Sequence, residues 1–298
     1  MNYHKISLDS VDEYGKDVRS ISTPSFRDNE WILFNAYENC VKEKEAFVLG
    51  GARQISKDLQ DDSLLYTETG VKKIKDAKEG DRIYDDSGEL TTIVKVLPQG
   101  LKDIYRITLL DGRTIECSDT HDWYLYNISK GKYETKNIKE IEDAKLYSID
   151  YCKPVQYKDK EVKINPFLLG VWLADATAKK FRIYSEGDYL NKLLEEYNLI
   201  DNKHIPYDYL YNSVEKRKDL LFGLIESSNN FTFNTKIPQL REDFIFLARS
   251  LGYGCKVKSN GSVRIYTHKR CSIVNIEKVG ESTTTCISVD NKSKLFLT

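Results

Sequence analysis

The order of apolar and polar positions changes texture three times along the chain. Residues 30–45 carry a helical spacing and run into the apolar strand Ala46-Phe47-Val48-Leu49. Residues 58–160 alternate with a period of two, in short pieces such as Arg82-Ile83-Tyr84, Thr91-Thr92-Ile93-Val94-Lys95-Val96 and Ile104-Tyr105-Arg106-Ile107-Thr108-Leu109. Asp85-Asp86-Ser87-Gly88 and Asp111-Gly112 supply turns between them, and this combination predicts antiparallel hairpins. From about residue 161 the spacing becomes helical, over 165–178, 189–197, 213–226 and 240–251. Strand texture returns from Val263 through Ile273-Val274-Asn275-Ile276 to Thr285-Cys286-Ile287-Ser288-Val289. The pattern predicts a mainly β domain, residues 58–160 and 263–298, interrupted by an α-rich insertion at 161–262 and preceded by a short α/β stub at 1–57.

Composition narrows the classes. A chain of 298 residues has room for about two domains, or one domain holding an insertion. Its 45 basic and 46 acidic side chains leave a net charge of −1, which excludes a uniformly basic nucleic-acid binder but allows a local patch. No apolar run approaches the roughly 20 residues of a membrane helix. Met1-Asn2-Tyr3-His4-Lys5 lacks the apolar core of a secretion signal. Cys40, Cys117, Cys152, Cys255, Cys271 and Cys286 show no CxxC spacing, against a zinc site or a disulfide framework. The expectation is a soluble, cytoplasmic protein with no membrane partner.

The stub ends in chemistry. Gly51, four residues, Ser56 and Lys57 follow an apolar strand and match a phosphate-binding loop in which Ser replaces the second glycine. Such a loop wraps backbone N–H groups around phosphate oxygens, with the Lys ammonium on the outer phosphates. Yet Asp58 stands where a magnesium-binding Ser or Thr belongs, so the string is half a P-loop or an ordinary glycine turn. With Phe26-Arg27-Asp28-Asn29-Glu30-Trp31 before it, the stub resembles the approach to the P-loop of phage large terminase subunits. That resemblance implies a DNA-packaging ATPase whose Gly51, Ser56 and Lys57 would bind ATP and Mg2+ once the interruption is removed.

The interruption has its own resemblance. Asp62-Ser63-Leu64-Leu65-Tyr66-Thr67, Gly70, Ile74 and Gly80-Asp81 resemble the opening block of an intein, a self-splicing Hint domain of horseshoe shape. Counting back places the first intein residue at Asp58, directly after Lys57. Ser118-Asp119-Thr120-His121 resembles the family's T-x-x-H block. The resemblance implies that Ser118 and His121 act beside the scissile bond, His121 protonating the departing amide nitrogen. Asp58 lacks the usual thiol or hydroxyl. Trp123, two residues after His121, and Cys286, where most inteins carry Asp, resemble the class 3 inteins. In that group an internal cysteine attacks the upstream junction, a role that falls here on Cys286. No cofactor is expected for this chemistry. Inteins continue past such a sequence to His-Asn and then Ser, Thr or Cys, whereas this one stops at Thr298. Completion of splicing is therefore expected to depend on a further C-terminal segment, supplied in cis or in trans.

Leu168-Leu169-Gly170-Val171-Trp172-Leu173-Ala174-Asp175 and Leu220-Leu221-Phe222-Gly223-Leu224-Ile225-Glu226-Ser227-Ser228 resemble the paired helices of a LAGLIDADG (DOD-type) homing endonuclease. Lys203-His204-Ile205-Pro206 and Arg217 fit the same resemblance. It implies helices packed through Gly170 and Ala174 against Gly223 and Ser227, each delivering an acid to magnesium at the scissile phosphates. Here Asp175 is retained as a weak metal ligand, but Ser228 replaces the second acid, and Ala176 and Asn229 replace the following glycines. The expectation is a vestigial nuclease, with DNA contacts from Lys203, Arg217, Lys256 and Lys258. An active sequence-specific endonuclease is the alternative reading.

Overall fold

The structure, a computed structural model, describes residues 58–175, 187–226 and 231–298. The proposed loop residues Gly51, Ser56 and Lys57, together with Ala176, Ser227, Ser228 and Asn229, lie outside the described residues.

Two strands of 20 residues organise the β part, β5 (Leu90–Leu109) and β13 (Arg270–Val289). They run antiparallel from Ile273 opposite Leu109 to Val289 opposite Ile93. Thr91–Val96 and Ile104–Leu109, separate strands by alternation, thus belong to one strand that continues through Pro98 and Gly100. The register slips between Thr284 and Thr285, opposite Gly100 and Pro98, and Gly100 has φ +76°. A proline lacks the N–H a regular ladder needs, and a glycine accepts the left-handed backbone of a bulge. The break in pattern is a bend, not an end.

Around this pair lie β1 (Asp58–Gln60), β2 (Leu64–Thr67), β3 (Gly70–Lys73), β4 (Arg82–Tyr84), β6 (Thr114–Ser118), β7 (Trp123–Asn127), β8 (Lys132–Lys136) and β9 (Tyr147–Asp150). They form one sheet in the order β3-β2-β4-β5-β6-β1-β13-β9-β7-β8, with the added β5–β13 pairing. Strand β1 is inserted between β6 and β13, so the start of the described chain is held on both edges. Alternate residues point into one core that includes Leu59, Ile107, Trp123, Leu125, Ile273 and Ile287.

The interrupting body holds α1 (Pro166–Ala174), α2 (Gly187–Glu196), α3 (Tyr207–Leu210), α4 (Val214–Ile225) and α5 (Pro238–Ser250). A small sheet, β10 (Thr232–Phe233), β12 (Val263–Tyr266), β11 (Gly254–Val257), completes it. Helix α1 starts where its sequence says it should: Asn165 accepts a 3.2 Å bond from Leu168 N, and Pro166 occupies the first turn. Helices α1 and α4 meet at Gly170 and Gly223, where a Cβ on either would lie within 2.4 Å or 2.1 Å of the partner helix's carbonyl oxygen.

The boundary at 263 needs correction. Val263–Tyr266 pairs with β10 and β11 inside the interrupting body, and the chain rejoins the large sheet at Arg270 opposite Asp150. The strand texture is continuous across the two sheets, so alternation alone cannot place the crossing.

Candidate functional site

The sheet brings the predicted splicing residues to one corner. Asp58 opens β1 directly opposite Cys286 of β13, and Leu59 stands opposite Cys117 of β6. Directly opposed residues of an antiparallel pair share a face, with Cα atoms about 4.5–5.5 Å apart. Cys286 is therefore the cross-strand neighbour of residue 58, although 228 positions separate them in sequence. It is also the one partly exposed thiol among the five described cysteines, the others being buried.

The turn between β6 and β7 supplies the remaining groups. Ser118 ends β6, His121 N donates to Ser118 O at 3.2 Å, and Trp123 opens β7. This tight turn packs the His121 ring against the Trp123 ring, centroids 4.7 Å apart. Ser118, His121 and Trp123 are all buried. Burial pushes the Cys117 thiol up to about 12. Cys117 is thereby a poor nucleophile at neutral pH, since the thiolate is the reactive form.

Asp58 is only 3% exposed. A buried carboxylate is costly unless it is paired and hydrogen-bonded. Its Oδ2 accepts from Thr120 Oγ1 at 3.1 Å and Ser118 Oγ at 3.4 Å, and forms an ion pair with Lys102 of β5. Ser118 and Thr120 hydroxyls lie 3.1 Å apart. Lys102 and Thr120 were not legible as site residues. Thr120 sits inside the quoted turn motif, where only its neighbours carry the family roles. Lys102 has no local signal, because its partner is 44 residues away.

The second predicted constellation is rearranged. Asp175 is the exposed residue at the C-terminal end of α1, and Glu226 ends α4. Among the described residues no group of three or more His, Cys, Asp or Glu is placed to hold a metal. Lys203 does not face solvent. Its ammonium donates to Trp172 O at 3.0 Å and Asp175 O at 2.5 Å, and lies 4.1 Å from the Trp172 ring centroid. Burial pushes its pKa down to about 8, opposed by the negative charge of Asp175. Arg217 is fully buried. It donates to Asn212 O at 2.9 Å, Ser250 O at 2.9 Å, Ser250 Oγ at 2.7 Å and to Val155 O. Burial brings it down to about 10. The expected DNA contacts from Lys203 and Arg217 are corrected accordingly: both cations are used up on carbonyl oxygens inside the fold. Lys256 and Lys258 are exposed.

No protein-family model matches the chain. A replicative DNA helicase DnaB of Mycobacterium intracellulare is 25% identical over 254 residues, covering 69% of this chain and 44% of the helicase. The chain thus spans less than half the length of that relative. Residues 1–57 are under a fifth of the sequence, so most of the matched positions fall after Lys57. Among solved structures, a gp41-1 intein variant is 14% identical and superposes with a TM-score of 0.31, covering 80% of this chain and 91% of that one. The Msm DnaB1 intein splicing domain bound with zinc gives 12% identity and 0.35 over 80% and 92% of the two chains. The MchDnaB-1 intein gives 13% and 0.34 over 80% and 92%. Scores this low do not decide the fold, which rests on the topology and register above. The named relatives lend no support to the terminase resemblance of residues 1–57.

Among the described residues no helix is long and apolar enough to cross a membrane.

Proposed function

We propose that residues 58–298 act as an intein-type splicing unit that cleaves the Lys57–Asp58 bond by acyl transfer, with Cys286 as the internal nucleophile. One observation carries this reading: Asp58, a residue with no nucleophile of its own, is in register with the one partly exposed thiol described. The Cys286 thiolate attacks the carbonyl carbon of Lys57. The C–N bond to Asp58 breaks, a thioester forms on Cys286 Sγ, and the departing nitrogen takes a proton from His121. Ser118 and Thr120 hold the turn against residue 58, and the His121 ring packs on Trp123 within it. No cofactor enters these steps. The host interrupted at Lys57 is a P-loop ATPase in this reading, its Gly51, Ser56 and Lys57 joining a completed ATP- and Mg2+-binding loop after excision. The helicase relative bears on the splicing body more than on the host, since its match lies mostly beyond Lys57.

The interrupting body reads as a degenerate LAGLIDADG-type unit, supported by the glycine-to-glycine contact of α1 with α4. An endonuclease function is the weaker alternative, because Lys203 and Arg217 are turned inward.

The test is incubation of the full chain with a small thiol, which would exchange with the thioester and release residues 1–57. Mass spectrometry should find cleavage after Lys57 in the parent and in Cys117→Ala, and none in Cys286→Ala. Equal cleavage of Cys286→Ala and the parent would sink the internal-nucleophile reading.

A further inference from the structure

The residue that replaces the usual first nucleophile is not idle. Asp58 places a full negative charge on the same sheet face as Cys286, directly across the strand pair. A carboxylate at that distance opposes ionisation of a thiol, and the nucleophile must be a thiolate. Lys102 resolves the conflict. It enters from β5, where it stands opposite Ser282 on the same run of β13, and its ammonium pairs with Asp58 Oδ2. The carboxylate is anchored a second time by Thr120 and Ser118, the hydroxyls that flank the His121 turn.

We infer that Lys102 is a positioning and charge-balancing residue for the acyl transfer proposed above: paired with Asp58, it locks residue 58 in register with Cys286 and cancels the charge that would suppress the Cys286 thiolate. The inference rests on that reaction for its purpose, but its electrostatic content can be measured without it. Several other charged groups on the neighbouring strands and turn have places of their own. Asp61, after β1, accepts a 2.7 Å bond from Thr285 Oγ1, whose side chain lies on the opposite face of β13. Asp103 of β5 is paired with Lys278, and Asp119 of the turn with Lys139. Lys95 stands opposite Ser288, and His121 lies in the turn packed beside β1. The Asp58–Lys102 pair is net neutral, and its carboxylate stands directly across the strand pair from Cys286.

The experiment follows alkylation of Cys286 by iodoacetamide against pH in the full chain, read at that residue by peptide mass spectrometry. Lys102→Met leaves Asp58 uncompensated and should raise the midpoint by about one pH unit. Asp58→Asn leaves the ammonium uncompensated and should lower it by a similar amount. The double variant Asp58→Asn with Lys102→Met should return the midpoint to that of the parent. Shifts of opposite sign that cancel are a signature that general loosening of the site cannot produce. Identical midpoints in the parent and both single variants would overturn the inference. If the shifts appear while the parent is not cleaved after Lys57 by added thiol, the acyl-transfer reading fails and the charge balance stands.

Discussion

At the scale of single residues, Lys203 shows how a polar group can hold a helix end at the cost of a proton. The last carbonyls of α1 have no partners within the helix, and an ammonium meets two of them, at Trp172 and Asp175. Burial lowers the Lys203 pKa from 10.5 to about 8. Between those values the unfolded chain binds a proton that the folded chain does not, so this group's contribution to stability rises with pH across that window. Comparing the parent with Lys203→Met isolates the effect from other titrations. The difference in unfolding free energy, parent minus variant, should grow by about 1–2 kcal/mol from pH 7.5 to 9.5. Denaturant titrations at the two pH values measure it, and a pH-independent difference would show that the ammonium is not desolvated.

Between elements, the α1–α4 contact depends on two missing side chains. A Cβ at Gly223 would sit 2.1 Å from Phe167 O and 2.9 Å from Val171 N, both backbone atoms that cannot step aside. Gly223→Val must therefore separate the helices, and a loss of about 3 kcal/mol or more is expected in denaturant unfolding. Val171→Ala, on the exposed side of α1, should change stability by about 0.5 kcal/mol or less. This pair of glycines was legible through the resemblance of 168–175 and 220–228 to paired LAGLIDADG helices, which implies packing through small residues. The helices of 165–178, 189–197, 213–226 and 240–251 were legible from their helical spacing, within a few residues of their observed ends where these are described. The strands were legible as strands, but not as a sheet. Pro98 and Gly100 look like a stop and are a bend within β5, since a partner strand that slips its register can absorb both. Val263–Tyr266 looks like the start of β13 and belongs elsewhere, since alternation carries no information about which neighbour a strand chooses. At the site, His121, Trp123, Ser118 and Cys286 were marked by motif spacing, whereas Lys102 is tied to Asp58 only by the folded sheet.

For the molecule as a whole, the question is whether the β part and the interrupting body unfold as one. The segment joining them is held from both sides. Val155 N donates to Ser250 O at 2.9 Å and Gln156 N to Gly88 O at 2.8 Å, while Arg217 of α4 reaches Val155 O. Cys152 Sγ donates to Arg249 O at 3.6 Å, and Tyr151 packs on Gly254 and bonds Asp111 at 3.2 Å. These ties predict a single cooperative transition, and buried thiols provide the reporters. Cys117 lies in the β core, Cys152 in the joint and Cys255 in the interrupting body, and burial pushes each up to about 12. An unfolded thiol loses its proton near pH 8.5, while these folded ones keep theirs, so rising pH favours the unfolded chain above that value. Each thiol should remove about 1 kcal/mol of stability between pH 8 and 9.5. In reducing buffer, one denaturant transition should move to lower midpoint over that interval, and Cys117→Ala, Cys152→Ala and Cys255→Ala should each relieve a comparable share of the loss. If the two parts instead unfold separately, two transitions would appear, with Cys117→Ala changing the pH dependence of one and Cys255→Ala that of the other. That outcome would show that the joint at residues 151–157 does not couple them.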